Sequence, residues 1–288
     1  MFYGIIGALL TSVGDLAYKK SVIVSKSKLS NSGYQFVSGF FYVLLISFFY
    51  FISIIFDFQS ITNILILKII SIFFIIGSIN VFGGLLSSFA YKNEKISVLT
   101  IYQQFETIFT VIFGFIFFSG ISYISFIFVF IAGITLLLGS FDKQNLKFNK
   151  YAFAIMLSSI IYSVKSNLLA FLLISITPLD SILYSNLFTF ICALLLVYFK
   201  NESKKSINKT DKKMVVYMIF ESFSRILIGI IYAYLISEIG IVQTSLLSLL
   251  SILTNLVFGY IFFKEIPTKK EYLITFVVIS CVILGNLF

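Results

Sequence analysis

The sequence predicts an all-α membrane protein of ten transmembrane helices, arranged as two inverted five-helix repeats. Three observations carry this. The 288 residues are 59% hydrophobic and 11% charged, whereas soluble domains run near half apolar and about a quarter charged. Apolar runs long enough to span a bilayer follow one another along the whole chain, leaving too little over for a soluble domain. A short motif also recurs near the end of each half.

A helix needs about 20 apolar residues to cross the hydrocarbon core. In order, such runs fall at 3–22, 33–56, 65–90, 96–118, 121–141, 150–176, 179–199, 214–236, 240–263 and 270–288. The first begins directly after Met1, and it is too long and too richly followed by others to be a cleaved signal. The third carries Gly77, Gly83, Gly84, Ser87 and Ser88, small residues expected to form a close-packing face between helices. The longest polar break, "KNESKKSINKTDKK" at 200–213, is a solvated connector. Pro178 and Pro267 both sit in breaks, so no helix should be kinked by proline. Cys192 and Cys281 lie in separate runs and are expected to be two small buried hydrophobes.

The net charge of +9 would suit nucleic acid in a soluble protein. Here the lysines fall in the odd-numbered breaks: Lys26, Lys28, Lys92, Lys95, Lys143, Lys147, Lys150, the 200–213 cluster, Lys269 and Lys270. The even breaks hold almost none, Lys68 being the main exception. This pattern points to topology set against anionic lipid, and it places the odd breaks in the cytoplasm and both termini on the other side. The sequons "NES" and "NKT" lie in the most basic break and are chance matches on that topology.

The chain repeats itself. "GFIFFSGIS" (114–122) and "GYIFFKEIP" (259–267) agree at five of nine positions. "ISVLTIYQQFETIFTVIF" and "IVQTSLLSLLSILTNLVF" precede them, and "YAFAIMLSSIIYSVKS" at 151–166 is similar to the opening "YGIIGALLTSVGDLAY". The halves are 1–143 and 150–288, joined near "DKQNLKFN" at 142–149. With five spans each they point in opposite directions, an architecture that places a cargo site near the midplane.

On these features the chain resembles the EamA-like type of the drug/metabolite transporter superfamily, over essentially its whole length. The resemblance rests on the paired repeat, the short loops, and the step that ends helices four and nine. "FFKEIPTKKEYLITFVVISCVILGN" keeps that step, with Glu265 matching the family's glutamate, while "FFSGISYISFIFVFIAGITLLLGS" has the shape without the acid. Glu106 and Ile252 stand about where the family often has a proline in these helices. The resemblance implies a transporter in a bacterial inner membrane with cytoplasmic termini, which conflicts with the lysine distribution; the charge pattern is followed here.

Six ionisable side chains inside predicted spans are singled out: Asp15, Lys19, Glu106, Lys165, Glu221 and Arg225. Each unpaired charge near the bilayer centre costs roughly 2.5–3.5 kcal/mol, so pairs or a wet cavity are required. Glu221 and Arg225, at i and i+4, suit an intrahelical pair. Tyr217 one turn earlier, with Gly229 and Tyr232 beyond, extends the stripe. Such a pair either staples helix eight to its neighbours or lets Arg225 grip a carboxylate or phosphate. Tyr102 and Glu106 form a second i, i+4 set suited to an amine, with Lys165 the alternative partner of Glu106. Gln103 and Gln104 point to different faces, so one at most should share this site. Glu106 and Asp15 are also candidates for proton or ion coupling, because removing a carboxylate from water favours its neutral form. Asp15 serves its own lysine or the cavity, and Lys19 should snorkel toward the basic break. Asn80, Asn167, Asn186, Gln243 and Asn255 suit interhelical hydrogen bonds as well as cargo.

The expected substrate-binding set is therefore Tyr102, Glu106, Lys165, Tyr217, Glu221 and Arg225. The expected activity is secondary transport of a small zwitterionic or charged metabolite, and the partners are that cargo and the bilayer. Neither nucleic acid nor a cofactor is called for, and the number of copies is not set by the sequence. The absence of histidine excludes a histidine-based triad, and no Gly-x-x-x-x-Gly-Lys-Ser/Thr loop exists for ATP. A lipid or lipid-linked-sugar flippase and a non-transporting adaptor are the alternatives. An intramembrane enzyme lacks a catalytic partner at telling spacing.

Overall fold

Inside a bilayer a backbone must satisfy its own hydrogen bonds, and among the described residues this chain does so with helices alone. The structure, a computed structural model, describes residues 2–25, 29–55, 67–94, 99, 102–118, 123–140, 150–200, 210–264, 266 and 269–287. The helices are α1 (Phe2–Ser25), α2 (Asn31–Ile55), α3 (Leu67–Tyr91), α4 (Phe105–Phe117), α5 (Tyr123–Ser140) and α6 (Lys150–Leu172). They continue as α7 (Pro178–Phe199), α8 (Lys212–Ile239), α9 (Ile241–Ser248), α10 (Ser251–Phe263) and α11 (Lys269–Leu287). A helix falls on each predicted run, and the ninth run holds both α9 and α10. Lys26, Lys28, Lys95, Lys143, Lys147, the joining segment 142–149, the sequons before Thr210, Glu265 and Pro267 lie outside the described residues.

Local chemistry sets several of these boundaries. Thr177 caps α7 by accepting from the Asp180 amide, and Pro178 occupies the first turn, where its missing N–H costs nothing. Asp211 caps α8 in the same way, accepting from the Met214 amide at 2.9 Å. Between α8 and α9 stands Gly240 with φ 84°, a backbone shape that side chains disfavour. It ends one helix and starts the next without a loop.

Among the described residues, six stretches are long and apolar enough to cross a membrane: Asn31–Ser53, Ile69–Tyr91, Lys150–Leu172, Pro178–Phe199, Lys212–Ile239 and Ile241–Phe262. Phe105–Phe117, Phe126–Thr135 and Tyr272–Cys281 are shorter apolar helices. α1 has the length but carries Asp15, Lys19 and Lys20. The surface is inverted relative to a soluble protein: Phe51, Phe117, Phe199, Leu273 and Phe276 are exposed, while many serines, Asp15 and Glu221 are buried. This is an integral, multi-pass membrane protein.

The main helix contacts exchange partners between the halves. α1 packs on α8, with further contacts to α9 and α10, and α6 packs on α3 and α4. α2 lies against α7, and α5 against α11. The glycines of α3 serve the close packing expected of them. A Cβ added at Gly77 would lie 2.6 Å from the Phe188 carbonyl carbon and 2.9 Å from the Thr189 nitrogen. Backbone meets backbone there, and neither helix can give. Gly77→Ala should therefore lower stability by about 1–3 kcal/mol, the usual cost of overpacking. Gly39→Ala, whose nearest new neighbour would be 3.6 Å away, should be close to neutral. Melting temperatures of the two variants in detergent test this pairwise contrast.

Candidate functional site

A cavity of about 400 Å³ opens among the helices, with walls drawn from α1 to α4 and from α6 to α10. Asp15, Glu106, Lys165, Glu221 and Arg225 all line it, as does Tyr232 from the predicted stripe. Two expected members stand elsewhere. Tyr217 is not on the cavity wall, and its neighbours on α8, Met214 and Met218, are buried in an apolar cluster with Tyr34. Tyr102 packs against apolar clusters instead. A turn at Gln104, whose backbone stays in the right-handed helical region, interrupts the helix just before α4. Both Gln103 and Gln104 line the cavity wall, against the expectation of one at most.

The expected pairing within helix eight is also replaced. The Arg225 guanidinium reaches α1, where Nη2 donates to Asp15 Oδ1 at 3.1 Å, and it lies 5.1 Å from the Tyr18 ring centroid. Asn255 Nδ2 of α10 donates to the other Asp15 oxygen at 3.2 Å. Asp15 thus serves Arg225 rather than its own lysine. Lys19 is buried rather than extended into the basic break, since α1 runs on to Ser25. Around the pair, α1 is stitched to the second half by Thr11 with Tyr232 (3.2 Å), by Ser12 with Thr254, and by Ser12 to the Ser251 carbonyl (3.3 Å).

Glu221 is 1% exposed, and its carboxylate is served by hydroxyls from two other helices. Ser21 Oγ donates to Oε2 at 2.8 Å, the Tyr34 hydroxyl donates to the same oxygen, and Tyr42 donates to Oε1 at 3.4 Å. Hydrogen bonds to a charged acceptor are roughly twice as strong as neutral ones. They let a carboxylate stand without an ion pair.

Glu106 and Lys165 are less enclosed. Glu106 Oε1 accepts from Ser166 at 3.3 Å, and Lys165 Nζ lies 5.5 Å from the Tyr162 ring centroid. The two charges are within electrostatic reach but do not close an ion pair. The polar amides divide. Asn80 donates to Thr189 at 2.8 Å and Asn167 to the Thr110 carbonyl at 3.2 Å, both between helices, while Asn186 bonds within α7.

Two helix interruptions meet beside this cavity. Span four is interrupted at Gln104, and span nine at Leu249 and Leu250, where the amides turn back to carbonyls three residues earlier. In the register of the repeated motif these are equivalent places. Thr107 and Ser248 join the two across 3.2 Å. The sequence did not reveal the wall tyrosines Tyr18, Tyr34, Tyr42, Tyr91 and Tyr162. The available signal was their spacing: Tyr18 stands three after Asp15, and Tyr162 three before Lys165.

Residues 149–287 match the model of the EamA-like transporter family. No curated protein matches the chain. One solved structure, known only as a crystal structure of a protein, is similar over 99% of this chain and 96% of its own. It is 10% identical, with a TM-score of 0.58. At that identity the likeness concerns the fold alone.

Proposed function

Residues 149–287 belong to the EamA-like transporter family, within the drug/metabolite transporter superfamily, and from that premise we propose that the chain moves a small zwitterionic or charged metabolite by alternating access. Transport between two compartments is a non-enzymatic task, in keeping with the family. The observation that carries the reading is the central cavity, where Asp15 and Glu106 from the first half meet Lys165, Glu221 and Arg225 from the second. Charges of both signs in one enclosed space favour a cargo that offers both. The exchanged helix partners and the matched interruptions of spans four and nine support two inverted repeats, 1–143 and 150–288, moving about that site. Interrupted helices beside a cavity are a recurrent way for transporters to present backbone polar groups to cargo. Glu106 and Asp15, both on the cavity wall, are the groups proposed for proton or ion coupling. The membrane proposed is a bacterial inner membrane.

The test is a thermal-shift screen of detergent-purified protein against amino acids, polyamines, quaternary amines, nucleotide sugars and sugar phosphates. The best probe is then followed by counterflow in proteoliposomes. A saturable rise in melting temperature, with counterflow of the same compound, is the expected result. No rise and no counterflow for any water-soluble probe would overturn the reading in favour of a lipid cargo.

A further inference from the structure

Resting on that reading, we infer that Glu106 and Lys165 are the pair that receives the cargo's charges. Glu106 takes an amine and Lys165 an acidic group, a carboxylate or phosphate. Asp15 and Glu221 are occupied by the protein itself, and Arg225 is tied to Asp15.

The division follows from how much hydrogen-bonding capacity each charge has already spent. Asp15 receives a donor on each oxygen, from Arg225 and Asn255. Arg225 spends one of its five N–H donors on Asp15 and lies against the Tyr18 ring, which orients it toward the acid. Glu221 receives three hydroxyls spread over both oxygens. Glu106 has one long contact on one oxygen, from Ser166 at 3.3 Å, and Oε2 has no donor among the described residues. Lys165 carries three N–H donors, and its ammonium meets an aromatic face at 5.5 Å instead of an acceptor.

A second observation falls in the same place. Thr110 lies one turn beyond Glu106 on α4, on the cavity wall and fully buried, and its hydroxyl has no hydrogen-bond partner. Buried polar groups in native proteins are almost always partnered, so an orphan on a cavity wall marks where something else binds. One patch of α4 and α6 therefore offers a free carboxylate oxygen on Glu106, an unpartnered hydroxyl on Thr110 and an ammonium on Lys165. The carboxylate and the ammonium line the same cavity without closing into a salt bridge. Held apart, they leave room for a molecule that completes both. An amine satisfies the free carboxylate oxygen, and an anion suits the compact point charge of lysine.

The experiment measures dissociation constants by thermal shift, using purified full-length protein and matched probes. These are L-amino acids, the amines lacking their carboxylate, the acids lacking their amine, phosphoethanolamine, and phosphatidylethanolamine in mixed micelles. Wild type should bind the two-charge probes best. Glu106→Gln should weaken them about tenfold or more and erase their advantage over the acids, and Lys165→Gln should erase their advantage over the amines. Gly77→Ala, which overpacks α3 against α7 away from the cavity wall, should lower the starting melting temperature and leave the ranking of probes in place. That separates cargo contact from loss of folding. Preference for phosphoethanolamine assigns the anion as phosphate, and binding of the lipid alone assigns a headgroup. The inference is overturned if Glu106→Gln and Lys165→Gln leave the ranking untouched while Glu221→Gln changes it, an outcome under which the transport reading stands. If no probe binds wild type, the transport reading falls and takes this inference with it.

Discussion

Arg225→Met is expected to cost about 3–5 kcal/mol of stability, and Asp15→Asn clearly less, although the two residues form one ion pair. The asymmetry comes from burial. Removing the arginine strands the Asp15 carboxylate, whose side chain is 5% exposed, with Asn255 as its remaining partner. Removing the acid leaves a guanidinium that is 35% exposed to the cavity, where water can solvate it. It also keeps the face of Tyr18. A lost partner is expensive mainly through the uncompensated charge left behind, so the deeper partner sets the larger penalty. Unfolding of Arg225→Met, Asp15→Asn and the double variant in mixed detergent micelles forms a cycle. The double variant should be less damaged than the sum of the singles, with a coupling of about 1–3 kcal/mol. Equal losses for the two singles, or simple additivity, would show that the pair does not stabilise the fold through charge.

How the sequence came to suggest a different partner for Arg225 says where reading by pattern stops. Spacing along a helix is local information, and i, i+4 made Glu221 the nearest candidate. The partners actually used come from α1, whose Asp15 is 210 residues away in sequence. The same holds for Glu221. Ser21 and Tyr34, its hydroxyl donors, are unremarked residues on α1 and α2, and nothing local distinguishes Tyr34 from the other tyrosines of the chain. What was legible were features that depend on composition and period. Each apolar run received a helix, Gly77, Gly83 and Gly84 lie where helices approach closely, and five of the six ionisable residues singled out within the spans line one cavity. A charge inside a hydrocarbon-length run needs a polar surrounding wherever its partner is, so its presence could be read without knowing the partner. Interruptions without proline or glycine could not. The sequence "LLSLLSI" carries no breaker at Leu249, and Gln104 lies in an ordinary helical pattern.

Glu221→Ala is expected to cost about 2–4 kcal/mol, with Tyr34→Phe costing about 1–2 kcal/mol and Tyr42→Phe little. The ranking follows from distance and burial. Tyr42 reaches Glu221 at 3.4 Å, a weak contact. Ser21 and Tyr34 are both fully buried, so removing their acceptor strands two hydroxyls that water cannot reach. They can then hydrogen-bond only to one another or to nearby backbone, as Ser21 already does with the Tyr18 carbonyl at 2.9 Å. That residual bonding keeps the cost below the sum of two orphaned groups. If the cluster acts through hydrogen bonding, removing both sides of the main contact should be gentler than removing one. Glu221→Met combined with Tyr34→Phe replaces carboxylate and hydroxyl with apolar groups of similar size, and should recover part of the stability lost in Glu221→Met alone. Recovery would place the energy of the cluster in polar groups left unpaired. A double variant at least as unstable as the sum of its singles would place it in packing of α8 against α1 and α2, and would remove the hydrogen-bonding account of why Glu221 is tolerated there.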